Sequence, residues 1–153
     1  MLLALGACNQ GNHTRFVTAE EAAAASRRLA ETESLRCELS VGASGTRSEK
    51  EIQYELVSNA SSKIEFSLDR IDPENRRARM LGNNAAVDVT VLRTDAGLTF
   101  IELTSGGSVN TTTVFALFED SMRGSFDAVQ SRHVTITGGS PVTSQRRGIC
   151  TAL

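Results

Sequence analysis

The chain has 153 residues, 40% hydrophobic and 22% charged, with a formal net charge of -2 and no tryptophan. That size suits one domain with a sizeable core and a short extra segment, and it needs no metal to hold it together. A slightly acidic chain with 5% aromatic residues offers neither the clustered cations nor the stacking platforms of a nucleic-acid binder, and no run approaches the ~20 apolar residues of a membrane-spanning helix.

Residues 1–17 read as an export segment and tether. Leu5-Gly6-Ala7-Cys8 resembles the lipobox of bacterial lipoproteins: a leucine, two small residues that a peptidase can accommodate, and a cysteine whose thiol carries the diacylglycerol. Only Leu2, Leu3, Ala4 and Leu5 lead into it, with no Lys or Arg before Cys8. A complete signal peptide has a basic start and about 7–15 apolar residues. The expectation is therefore a truncated lipobox with Cys8 as the lipidation site, and a truncated ordinary signal peptide is the alternative. Asn9-Gln10-Gly11-Asn12 reads as a flexible tether, and His13 lies within it.

Residues 18–33 read as one helix. Thr18-Ala19-Glu20-Glu21 is a capping box, in which the threonine hydroxyl takes the Glu21 amide and the glutamate reaches back. The acidic first turn suits the helix dipole. Ala22, Ala25 and Leu29 recur at helical spacing, a small apolar face fit to lid a β domain or to hold it off a membrane.

From residue 34 to 153 the period falls to two. Leu35, Cys37, Leu39 and Val41 alternate with polar neighbours, as do Ile52, Tyr54 and Leu56, then Ile64, Phe66 and Leu68, then Val87, Val89 and Val91. Such alternation marks half-buried strands. Further strands are expected near 76–81, 97–104, 108–116, 126–137 and 145–151. Gly82-Asn83-Asn84, Asp95-Ala96-Gly97, Ser105-Gly106-Gly107 and Gly138-Gly139 supply the positive φ that tight hairpins demand. The segment 41–50 reads as the most mobile loop. The sum is a mainly β fold: an antiparallel meander of about eight strands, closed as a barrel or split as a sandwich, preceded by one N-terminal helix.

With Cys8 assigned to lipid, Cys37 and Cys150 remain, and they can pair. The bond would close a loop of over 100 residues, worth at most about 4–5 kcal/mol, and would point to an oxidising compartment. Two buried free thiols in a cytosolic protein are the alternative. Two lone cysteines need two further ligands to hold zinc, and the chain has only His13 and His133 to offer; no cofactor motif is present.

Ser131-Arg132-His133 is the most reactive-looking cluster. In a strand, Arg132 and His133 point to opposite faces and do not converge on one substrate. Arg132 is in phase with Phe126, Val134 and Ile136, as a partly buried arginine paired with Glu102 or Asp88 would be. Asp69, Asp72, Glu74, Arg76, Arg77 and Arg79, with Pro73 among them, read as a solvated turn between strands. No Gly-x-Ser-x-Gly elbow or phosphate-binding glycine loop occurs.

The stretches "ARMLGNNAAVDVTVL", "GLTFIELT", "TTTVFALF" and "AVQSRH…PVTSQRRGIC" resemble a group of small exported bacterial proteins of uncharacterised function. The resemblance implies export and a disulfide between the terminal Gly-x-Cys and an early strand cysteine, and it carries no catalytic residues. The expectation is a lipid-anchored or secreted envelope domain that binds a small ligand or a protein partner without catalysis. The alternative is a hydrolase using His133 with a strand carboxylate.

Overall fold

A computed structural model describes residues 18–47, 52–57, 63–83, 85–116, 123–134 and 141–153. The lipobox-like stretch with Cys8, the expected tether with His13, and the expected turn at Gly138-Gly139 lie outside the described residues.

Helix α1 spans Ala19–Ala30. The Thr18 hydroxyl accepts the Glu21 amide at 3.2 Å, and the Glu21 carboxylate accepts the Thr18 amide at 2.8 Å. Both halves of the capping box are thus made. Ala25 and Leu29, four residues apart on one helical face, are buried.

Nine strands follow: β1 (Leu35–Arg47), β2 (Ile52–Val57), β3 (Ile64–Asp72), β4 (Arg77–Leu81), β5 (Ala86–Thr94), β6 (Gly97–Leu103), β7 (Val109–Phe115), β8 (Ser125–Val134) and β9 (Val142–Ala152). They pair antiparallel in the order β2-β1-β3-β4-β5-β6-β7-β8-β9, and β9 returns to pair with β1. The result is a closed eight-stranded barrel rather than a sandwich, with β2 as an extra strand. β2 and β3 share one edge of β1: β3 pairs with Leu35–Leu39 and β2 with Gly42–Arg47. Closure satisfies the edges that an open meander would leave exposed.

The segment 41–47, expected as loop, is strand. Its glycines and serines carry little strand preference, but β2 and β9 pair with both of its edges, and those ladders override local propensity. Residues 48–50 of that expected loop lie outside the described residues. A bulge between Leu39 and Val41 also shifts the phase. Val41 falls opposite Arg147, so Gly42 continues the row of Leu35, Cys37 and Leu39.

The lower end of the barrel, where β1 begins, carries α1 and the β3–β4 and β5–β6 turns. Ala25 and Leu29 join the barrel core from this end. The seam is tied by the Ile71 amide to the Glu33 carbonyl (3.1 Å) and the Leu153 amide to the Ser34 carbonyl (3.2 Å).

Strand register stacks the inward side chains in layers. Near the bottom, Phe126, Cys150, Cys37 and Phe66 lie side by side across β8, β9, β1 and β3. Cys37 and Cys150 form a disulfide there. Above them runs Leu98, Val114, Ala128, Gly148, Leu39 and Ile64. The lower half is thus an apolar core, in which Phe126, Leu35, Leu68 and Leu98 are almost wholly buried. Each such side chain contributes roughly 1.5–3 kcal/mol relative to exposure.

Candidate functional site: the polar mouth and an outer groove

Further up, the same inward phase turns polar. Phe100, Thr112, Gln130, Arg146 and Gly42 form one layer. The next is a ring across six strands: Glu102, Asn110, Arg132, Ser144, Ser44 and Glu55, each opposite the next in register. Period-two geometry places them together, because each lies an even number of residues from a core side chain on its own strand or is registered to one that does.

The ring is hydrogen-bonded on one side. The Asn110 amide donates to Glu102 Oε2 at 2.6 Å, and Arg132 Nε donates to Asn110 Oδ1 at 3.4 Å. Arg132 therefore reaches Glu102 through an amide rather than by direct pairing. Asp88, its other expected partner, lines a groove on the outer face of the sheet. Arg132 makes no ion pair with a carboxylate among the described residues and remains exposed at the mouth. In the layer below, Gln130 is 5% exposed; its Nε2 donates to Thr112 Oγ1 at 3.3 Å, while its Oε1 is buried without a hydrogen-bond partner. Such a buried acceptor costs stability unless a donor reaches it.

A recess of about 370 Å³ opens here, lined by Ser44, Glu55, Arg132, Ser144 and Arg146, with Val134 and Val142 as apolar lining. Its chemistry is that of donors and acceptors facing one space: two guanidinium groups, two hydroxyls and a carboxylate. No set of three His, Cys, Asp or Glu side chains suited to a metal occurs among the described residues.

His133 stands apart from this recess. It is exposed on the outer face, in register with Val109 and Thr143. No carboxylate among the described residues accepts a hydrogen bond from it. The period-two argument separating Arg132 from His133 therefore holds. Asn110, Gln130, Arg146 and Ser44 were missed. Their signal was a polar residue at a core-phase position in consecutive strands, which becomes a ring only once the register is known.

A second concavity, about 1070 Å³, lies outside the barrel, over β4 to β7. On its β3–β4 side are Arg70, Asp72, Asn75 and Arg76; on its β6–β7 side are Ile101, Leu103 and Val109. Of the charged run 69–79, expected as a turn, residues 73–76 form the turn, while Asp69–Asp72 end β3 and Arg77–Arg79 begin β4. Within it, Asp69 accepts two hydrogen bonds from Arg79, at 2.8 and 2.5 Å, and this guanidinium holds the Asp69 carboxyl below the usual carboxylate range. The Asn75 side-chain and backbone amides do the same for Asp72. Arg70, Arg76 and Arg77 make no ion pair among the described residues. Arg70 (φ 52°) and Arg76 (φ 56°) are the non-glycine residues in left-handed backbone among those described. That conformation costs a residue with a side chain roughly 1 kcal/mol or more, and both line the groove.

No helix among the described residues is long and apolar enough to cross a membrane. No family model, curated protein or solved structure matches the chain.

Proposed function

We propose that the protein is an exported envelope barrel that binds, without catalysis, a small polar ligand bearing a carboxylate or phosphate in its upper mouth. The observation that carries this reading is the ring Glu102–Asn110–Arg132–Ser144–Ser44–Glu55 set above an apolar core. Barrel mouths are recurrent ligand sites, in which a few convergent polar groups fix orientation. Arg132 is held through Nε by an amide, which leaves its terminal nitrogens to a planar anion, the bidentate geometry arginine favours. Ser44 and Ser144 add hydroxyls, and Glu55 accepts donors of the ligand.

The envelope part of the reading draws on the Cys37–Cys150 bond, a type that persists in oxidising compartments, and on the lipobox-like Cys8 as a lipid anchor. The hydrolase alternative has no comparable support, because His133 faces away from the recess.

The test is a thermal-shift screen of small carboxylates and phosphates, with native mass spectrometry of protein purified from its host. A binder that raises the melting temperature of the wild type but not of Arg132→Gln supports the reading. A screen without binders and a host preparation without bound ligand would end it. The same mass spectra report lipidation at Cys8.

A further inference from the structure

The outer groove over β4–β7 is distinct from the mouth, and its reading does not rest on that of the mouth. Two features of it are unusual. Its lining is net positive, with Arg70, Arg76, Arg77 and Arg79 against Asp72 and Asp88, on a chain whose net charge is -2. Among the described residues, only Arg79 of the four is ion-paired, with Asp69. The charge is also segregated from the apolar part: the arginines gather on the side of β3 and β4, while Ile101, Leu103 and Val109 form the side of β6 and β7, with Leu103 73% exposed and Val109 38%.

We propose that this groove docks a segment of a protein partner that is acidic at one end and apolar at the other. Charge complementarity sets the direction, since carboxylates meet Arg70, Arg76 and Arg77 while apolar side chains cover Leu103 and Val109. The shape favours a chain over a membrane: a concave trough admits a narrow segment, and a planar bilayer does not fill it. It also favours a chain over a small molecule, because small-ligand sites enclose most of their ligand, whereas this concavity of about 1070 Å³ is partly open to solvent. The left-handed backbone at Arg70 and Arg76 fits the same reading. Glycine would relieve the strain, and arginine stands there instead.

The experiment uses the full chain and a fluorescent peptide made of a glutamate block followed by a leucine block, read by anisotropy. Saturable binding is expected, weakened by salt. Replacing the glutamates with lysines should abolish it, and replacing the leucines with serines should weaken it about tenfold or more. Arg77→Glu and Leu103→Asp, both at exposed positions, should each weaken binding by about tenfold. Arg76→Gly should weaken binding while leaving the melting temperature unchanged or higher. Absence of saturable binding, or binding indifferent to both Arg77→Glu and Leu103→Asp, overturns the proposal. So does capture of the protein by phosphatidylglycerol vesicles that depends on Arg77 and Leu103 when the peptide is not bound, since the groove would then be a membrane contact.

Discussion

Cys37 and Cys150 sit directly opposite each other in the β1–β9 ladder, with Cα atoms 4.0 Å apart and their sulfurs bonded. The bond therefore spans the seam at which the first long strand and the last one close the barrel. Both residues are wholly buried, between Phe126 and Phe66 in the same layer.

A bond across 113 residues restricts the unfolded chain strongly, by up to about 4–5 kcal/mol. Reduction is expected to lower the melting temperature by about 10 °C or more. Cys37→Ala with Cys150→Ala should lower it at least as far, because it also removes buried sulfur. Calorimetry with and without reductant checks this; an unchanged melt would refute the seam's importance.

At the same seam, Gly148 faces Leu39 so closely that an added Cβ would lie 2.0 Å from the Glu38 carbonyl oxygen and 2.6 Å from Leu39 Cα. Both contacts are backbone, so neither can swing away. Gly148→Ala should cost about 3 kcal/mol, the upper range for overpacking. Gly107, at φ 79° with nothing within 4 Å of its virtual Cβ, meets only the left-handed penalty, and Gly107→Ala should cost about 1 kcal/mol. Denaturant titration of both variants should rank them in that order.

Asp69 and Arg79 predict a pH dependence. The Asp69 carboxyl is held below its ordinary value by the Arg79 hydrogen bonds. The unfolded chain therefore binds its proton at higher pH than the folded one does. The pair's contribution is complete above the unfolded value of about 3.9 and drains away as pH falls through the lower folded value. Arg79→Gln should move the Asp69 titration, followed by NMR, back up toward the ordinary value. It should also reduce the loss of stability on acidification below about pH 4.

His133→Ala should leave the melting temperature within about 0.5 kcal/mol equivalent and any cellular phenotype intact, because His133 is exposed on the outer face. Loss of phenotype at full folding and normal abundance would restore the enzyme reading. Arg132→Ala, one residue away, should instead abolish ligand stabilisation while the fold persists.

Much of this architecture was legible in the chain. Thr18 and Glu21 announced the helix start, since a cap depends only on residues three apart. The alternation at Leu35–Leu39, Ile64–Leu68 and Val87–Val91 announced strands and their buried faces, because the pleat has a period of two whatever the partner. It also separated Arg132 from His133. What local pattern does not contain is which strands meet and in what register. The strand character of residues 41–47, the phase shift after Leu39, and the choice of barrel over sandwich all follow from β9 returning to β1. So does the polar mouth: Glu102, Arg132, Ser44 and Glu55 are distant in the chain, and only the ladders bring them into one ring. Arg76 looked like a member of a solvated charge run, and Arg70 beside that run drew no reading. The bulge and turn that give them left-handed backbone, and the β6–β7 corner that sets Leu103 and Val109 along the same trough, exist only in three dimensions, because a groove is made by neighbours across a sheet and not by neighbours along a chain.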